Sequence, residues 1–353
     1  MDFALDDNQQ VIAALAGDVL DAHARVAGDG DYDLATWKAL GHAGLLSLAV
    51  PTWLGGDGLG VTEATVLLAE VGRRVVPVPA LATLALGVLP VVRWGSRHQQ
   101  KQLLPTIATD GLVLTAALRE PSDPTPARPA TVVTRDTVTG TKLGVPYAAT
   151  AHRILVPVSF AAGGTGVVLV DPSAGGVSLR RTPTASGAPE YTLRLEAAPV
   201  SDVLAGDDAV GDLYQLALAG ACAVGDGVLA GALALTTDHI GGRRQFGRPL
   251  ATFQAVAQQI ADVYIASRTL HQAALSACWR LGTGRPAGAD LDVAAYWLAE
   301  EVPAALRTCH HLHGGLGLDI SYPLHRYSSW ARDLARSVGG AEHRLDRVGT
   351  WVT

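Results

Sequence analysis

The sequence predicts an α+β chain, with helices at its start, a β-domain in its middle and a helical bundle at its end. Apolar residues recur at helical spacing early in the chain and again in its last third. Between these stretches, β-branched runs alternate with turn residues. The apolar share of 48% against 17% charged residues suits a packed globular chain. At 353 residues there is room for a large core and several domains. We expect an N-terminal helical domain over 1–111, a middle antiparallel β-domain over 112–206 and a C-terminal four-helix bundle over 207–353.

Each part has its own signals. Ala13, Leu15, Ala16 and Leu20 take helical spacing after a polar start. Pro51, Gly55, Gly56, Gly58 and Gly60 mark a loop, after which a helix opens at Thr62 and runs to Gly72. Arg97 to Leu104 reads as a short helix ended by Pro105. The runs Val132–Thr134, Ile154–Val156, Val167–Val170 and Tyr191–Leu195 read as strands between turn residues. Helices return after Asp207-Asp208. The stretch from Leu213 to Leu235 is apolar enough to raise a membrane question. Gln215, Asp226, its glycines and the lack of aromatic or basic flanks favour a buried Ala-rich helix instead. Beyond Thr252, a helix should place Phe253, Val256, Ile260, Val263, Tyr264 and Leu270 on one face.

Composition excludes several classes of function. The net charge is −6 and no basic block stands out, which argues against nucleic-acid binding. Cys222, Cys278 and Cys309 are odd in number and lack CxxC spacing, which points to reduced thiols and a cytoplasmic location. The acidic start Met1-Asp2-Phe3-Ala4-Leu5-Asp6-Asp7 does not read as a signal peptide.

Two segments carry the chemistry. Arg243-Arg244-Gln245-Phe246-Gly247-Arg248-Pro249-Leu250-Ala251-Thr252-Phe253-Gln254 joins positive charge to a turn and a helix start. His310-His311-Leu312-His313-Gly314-Gly315-Leu316-Gly317 adds a glycine-rich turn. Guanidinium groups and exposed backbone N–H groups together suit a pyrophosphate. The three histidines have neither HExxH spacing nor a completing carboxylate or cysteine pair, so no metal is expected. Gly55 to Gly60 lacks the GK[ST] ending of a phosphate loop and reads as a connection between helices. Trp279 and Trp297 read as packing between helices.

With this helix–β–helix plan, the RQFGxPLxxFQ and HGGLG segments resemble the acyl-CoA dehydrogenase family over essentially the whole chain. Leu81 to Pro90, Val263 to Thr269, His310 to Gly315 and Tyr322 to Tyr327 bring the resemblance nearer to the short β-subunits of actinobacterial steroid-degrading enzymes. The resemblance implies α,β-dehydrogenation of an acyl-CoA thioester, with a carboxylate taking the α-proton and FAD the β-hydride. It also implies that Arg243, Phe246, Gln254, Gly314 and Gly315, with Gln245 nearby, hold the pyrophosphate of an FAD housed mainly in a neighbouring subunit. His311 stands where the family usually offers a glutamine, and an imidazole still supplies a hydrogen bond.

Other positions depart from the pattern. The family follows Gly-Thr-Lys with a Trp-Ile-Thr run against the flavin ring. Here Gly140-Thr141-Lys142 leads into Leu143-Gly144-Val145-Pro146, so Gly144 replaces the tryptophan and Pro146 the threonine. The acidic Thr-Glu-Pro has become Leu118-Arg119-Glu120-Pro121. The two places that supply a catalytic glutamate hold Gly339 and Ala217. Glu342 is a weak substitute, read more simply as a solvated residue paired with Arg344 or Arg347. Asp226 reads as a buried hydrogen-bonding group. The expectation is a non-catalytic β-subunit that lends FAD contacts to a catalytic α-subunit in an α2β2 tetramer, with no role for nucleic acid or membrane. The alternatives are a self-sufficient homomer with a relocated base and a flavin-free structural or regulatory subunit.

Overall fold

The computed structural model describes residues 4–23, 32–204, 206 and 208–352. Met1–Phe3, part of the acidic start, and Asp207, first residue of the expected third domain, lie outside the described residues. Helices α1 (Asp7–His23), α2 (Leu34–His42), α3 (Val61–Arg74), α4 (Leu89–Trp94) and α5 (Arg97–Asp110) come first. Strands β1 (Val113–Ala116), β2 (Val132–Thr134), β3 (Thr137–Pro146), β4 (Ala151–Phe160), β5 (Thr165–Val170), β6 (Val177–Thr182), β7 (Glu190–Pro199) and β8 (Asp202–Leu204) follow. After them come α6 (Ala209–Gly242), the short strands β9 (Arg244–Gln245) and β10 (Arg248–Pro249), then α7 (Gln254–Gly282), α8 (Gly288–His313), α9 (Leu324–Ser337) and α10 (Gly340–Gly349). The α+β order matches the sequence expectation. The chain gathers into two compact units, one of Asp6–Leu67 with Val76–Gly220, the other of Met1–Leu5, Leu68–Val75 and Ala221–Thr353.

In the first unit, α5 begins at a capping box. Ser96 Oγ accepts from the Gln99 amide at 3.3 Å, and Gln99 Oε1 accepts from the Ser96 amide at 2.7 Å. Contrary to expectation, the helix does not end at Pro105 but runs through it to Asp110. The proline withholds its amide only from Lys101, an exposed residue whose carbonyl water can serve. Gly111, at φ 67°, then stops the helix, and its carbonyl accepts from Trp37 Nε1 at 2.7 Å.

The sheet runs β6-β7-β3-β2-β4-β5-β8, with β1 beside β4. It is mixed rather than antiparallel, because β1 and β2 both pair with β4 in parallel. Alternation in a sequence shows that a strand exists and says nothing of its partner's direction. Ile154, Val156 and Val158 of β4 pack with Val168, Val170, Leu193 and Leu195 in one apolar cluster. Burying each such side chain contributes about 1.5–3 kcal/mol. Ahead of β1 lies a π-helical stretch, Leu81–Val88, buried from Ala82 onward. A Cβ on Gly87 would collide with Leu114, so this glycine lets the stretch lie against β1.

In the second unit, small residues let helices approach closely. A Cβ on Gly227 or Gly231 would run into the carbonyls of Ala69 and Arg73. Over an 18-residue window α6 reaches a mean hydropathy of 1.8 with 78% of that window buried, as a core helix requires. The expected apolar face of α7 needs correction at Tyr264, which is 56% exposed, whereas Val263 and Leu270 are buried as expected. The buried stripe is Val263, Ala266, Ser267, Leu270, Ala274 and Cys278, whose small members give little hydropathy signal. Buried Arg344 pairs with Asp292 at 2.9 Å, and Trp351 Nε1 donates to the same carboxylate at 2.8 Å. Trp279 is half-buried beneath Arg285, at 4.6 Å, and Trp297 is half-buried in α8. The three cysteines are buried and form no disulfide among the described residues.

Candidate functional site

The end of α6 turns into a tight hairpin. The Arg243 amide continues the helix by donating to His239 O at 2.8 Å, and the Leu250 amide closes the hairpin on Arg243 O at 2.8 Å. Between β9 and β10, Phe246 and Gly247 take φ values of 49° and 80°. Two successive positive φ angles match a type I′ turn, in which a phenylalanine is strained by about 1–3 kcal/mol. Phe246 is nevertheless 90% exposed, touching Phe253 only edge-on at 6.3 Å between ring centres. Arg244 donates to Gly247 O at 3.1 Å, and the Arg248 guanidinium lies 4.0 Å over the Phe253 ring. Arg243 makes no ion pair among the described residues.

Arg243 instead lines a groove of about 1000 Å³, together with Gln245, His311, Gly314 and Gly315. Five of the seven residues expected to hold a cofactor therefore meet in one place. Phe246 and Gln254 do not line it; both are exposed, on the hairpin tip and at the first position of α7. Gly314 ends α8 at φ 59° and ψ −136°, a conformation essentially reserved for glycine. Among the described residues, and apart from the immediate chain neighbours, nothing lies within 4 Å of where a Cβ would stand on Gly314 or Gly315, so internal crowding does not demand glycine there. Positive charge, a bare glycine turn and this volume fit the pyrophosphate of a dinucleotide.

Sequence reading missed other lining residues, among them Asp238, His239, Gln259 and His313. The His239 ring stacks on His313 at 4.4 Å and 18°. His313 Nδ1 donates to Cys309 O at 2.8 Å, leaving Nε2 to accept from the Tyr322 hydroxyl at 3.1 Å. Burial lowers the pKa of His313, the Cys309 carbonyl opposes this, and His239 adds to the lowering. Burial, then the charge of Arg243, also holds His239 below the usual imidazole range. The one signal for His239 was its place four residues before Arg243, on the same helical face. His310 turns elsewhere, with Nε2 2.7 Å from Ser328 Oγ.

The positions that would face a flavin ring look quite different. Gly144 sits at φ 65°, and a Cβ there would stand 3.0 Å from an Arg119 guanidinium nitrogen and 3.1 Å from Glu190 Oε1. These two charged side chains occupy the space beside it. Lys142, fully buried, lies 2.9 Å from Glu120, which also accepts from Thr131 N at 2.9 Å, Thr131 Oγ1 at 2.7 Å and Ala130 N at 2.6 Å. Burial works to raise the Glu120 carboxyl, but Lys142, Thr131 and Ala130 outweigh it and hold it below the usual carboxylate range. Burial lowers Lys142 against the pull of Glu120. Pro146 O accepts from Thr115 Oγ1 at 2.7 Å. Arg119 and Glu190 fill the space beside Gly144, and this arrangement does not fit a flavin ring.

At the expected base positions, Gly339 caps α10 in the left-handed region at φ 96°, and Ala217 lies within α6. Glu342 is exposed in the first turn of α10. Its expected pairing with Arg344 needs correction, since Arg344 is committed to Asp292, and Arg347 stands 3.7 Å from that same carboxylate. Asp226 accepts from or pairs with His271 Nδ1 at 2.8 Å. The loop from Gly55 to Gly60 turns its amides inward, with Gly58 N donating to Val50 O at 2.9 Å and Leu59 N to Leu48 O at 2.8 Å.

Fold and motifs together define a flavoprotein-type dehydrogenase architecture. The N-terminal domain of acyl-CoA dehydrogenase matches residues 7–110 and the C-terminal domain residues 217–352, and the chain belongs to the acyl-CoA dehydrogenase family. It is 46% identical to acyl-CoA dehydrogenase FadE28 of Mycobacterium tuberculosis over 350 residues, covering 99% of this chain and 98% of that one. A chain of a Tcur3481–Tcur3483 steroid ACAD variant superposes with a TM-score of 0.92 at 34% identity, covering 99% of this chain and 98% of that one. A chain of the ChsE4–ChsE5 complex of Mycobacterium tuberculosis gives 0.92 at 31% identity, covering 100% and 99%.

Proposed function

We propose that this chain is the non-catalytic β-subunit of an FAD-dependent acyl-CoA dehydrogenase, working with a catalytic α-subunit in an α2β2 tetramer in the cytoplasm. One observation carries the reading. The groove at Arg243 and Gly314 is open and fits a pyrophosphate, whereas Arg119 and Glu190 occupy the space at Gly144 where a flavin ring would lie. Such a chain has contacts to lend and no complete site of its own. The likeness to one component of a named pair, twice over, supports a partner subunit. The likeness to a steroid ACAD supports a steroid acyl-CoA as substrate, and the motif resemblance to the steroid-degrading β-subunits leads us to propose 3-oxo-4-pregnene-20-carboxyl-CoA.

When bound, FAD supplies the hydride acceptor for α,β-dehydrogenation. This chain's part is to hold the pyrophosphate. Arg243 provides charge, Gln245 and His311 provide hydrogen bonds, and the bare turn at Gly314 and Gly315 lets backbone approach the phosphates. Phe246 and Gln254, exposed outside the groove, are available to the remainder of a flavin seated in the partner. The α-subunit contributes the ring pocket, the glutamate base and most of the acyl-CoA site.

Flavin absorbance of the chain expressed alone, and then with a longer relative that has the Trp-Ile-Thr run and a glutamate base, tests this. The expected result is a colourless lone chain and a complex with about one FAD per αβ pair, bleached by Arg243→Ala. A yellow, active lone chain overturns it in favour of a homomer using Glu342. A colourless but intact complex points to a flavin-free structural subunit.

A further inference from the structure

We propose that His239 is a further anion-binding residue of the groove, presented by its stack on His313, and that it takes up a proton from solvent when a pyrophosphate enters beside Arg243. The proposal rests on reading the groove as a dinucleotide pyrophosphate site. Arg243 follows His239 by one helical turn, just past the end of α6, and both line the groove. The stack on His313 fixes the plane of the His239 ring. His313 is itself locked: it is 5% exposed, with one ring nitrogen donating to Cys309 O and the other accepting from Tyr322. A ring held this firmly is a support and not a ligand-seeking group, whereas no hydrogen bond engages either nitrogen of His239 among the described residues.

The surrounding charges give the direction of the effect. Charged and titratable side chains lining the groove are Asp238 from α6, Arg243 just past its end, and His311 and His313 from the end of α8; α7 contributes only neutral ones. Burial and Arg243 disfavour the charged form of His239. An entering pyrophosphate neutralises the field of Arg243 and offers the imidazolium an acceptor, so both opposing effects are offset. Binding and protonation are then linked, and affinity rises as pH falls.

The test uses the full chain and ADP-ribose, whose pyrophosphate does not titrate near neutral pH. Calorimetry in buffers of contrasting ionisation enthalpy reads the protons taken up. The expected result is net uptake, with binding about threefold to tenfold tighter near pH 6 than near pH 8, one pKa unit corresponding to a factor of ten. His239→Gln should abolish both the uptake and the pH dependence, while His98→Gln, at an exposed position of α5, leaves them in place. Histidine ring resonances of the unsubstituted chain, titrated free and liganded, give the same readout without substitution. Binding without proton uptake, or a His239→Gln chain that behaves as the parent, overturns the proposal. If Arg243→Ala weakens binding while His239→Gln does not, this proposal falls and the shared-flavin reading stands. If ADP-ribose does not bind at all, this proposal falls, and the shared-flavin reading is decided separately by the flavin content of the complex.

Discussion

Around Gly144 the polar groups of this chain answer one another, whereas around Arg243 they face open space. Glu120 gathers Lys142, Thr131 and the Ala130 amide, and Arg119 and Glu190 converge beside Gly144. In the groove, Arg243 forms no ion pair among the described residues and Gly314 takes a backbone conformation closed to other residues, while outside it Phe246 is held in a strained conformation at 90% exposure. Both regions carry remnants of one family's flavin motifs. A polar group satisfied inside the protein contributes to the fold. One kept at a cost, with no internal return, is kept for something that binds. Substitutions in the first region should therefore cost stability, and those in the second should cost ligand.

The largest effect is expected at the sheet. Glu120→Ala strands the Lys142 ammonium in a fully buried place and should cost about 3–5 kcal/mol, read by denaturant unfolding. The pH dependence has a definite sign. The folded Glu120 carboxyl lies below its unfolded value, so its contribution is full above the unfolded carboxylate range and is lost as pH falls through the folded value. Glu120→Gln should accordingly flatten the acid limb of the stability profile. Arg243→Ala reverses the pattern. Loss of a charge-assisted hydrogen bond of about 1.5–3 kcal/mol should weaken flavin retention by about tenfold to a hundredfold, while the unfolding midpoint stays in place. If Arg243→Ala also unfolded the chain, the contrast between the two regions would be wrong. Gly314→Ala joins both readouts. It forces a side chain into a glycine-only conformation at about 1–3 kcal/mol, and it should lower the melting temperature and flavin content together.

Much of this was readable in the residues. The strand runs at Val132, Ile154, Val167 and Tyr191 all lie in strands, because alternation of β-branched residues reports a local preference. Parallel pairing to β4 was not readable, since partner direction is decided far along the chain. The helix through Pro105 escaped because the lost hydrogen bond falls on an exposed residue, which lets water replace it. On α7, Val263 and Leu270 were legible, but Tyr264 was misassigned, because alanines and a serine complete the buried stripe while Tyr264 carries its hydropathy outward. In the site, arginine and glycine announced the groove by type. His239 stayed hidden, because a lone histidine on a helix has no motif and acquires its meaning only from the ring beneath it.

The smallest expected effect discriminates best. Phe246 contributes little to the chain that holds it: it is 90% exposed, its ring meets Phe253 edge-on at 6.3 Å, and its φ of 49° is unfavourable for a bulky aromatic side chain. Glycine would adopt that angle without strain, although it adds freedom to the unfolded chain, so the two effects partly cancel. Phe246→Gly should therefore leave the lone chain unchanged or more stable by up to about 1 kcal/mol. In the complex the same substitution should lower flavin content, because an aromatic face held outward in a strained turn has its contacts in another molecule. A loss of stability in the lone chain would mean that the hairpin needs Phe246 for itself. An unchanged flavin content would mean that the strain serves something other than the flavin, and Arg243 with the glycine turn would then carry that contact alone.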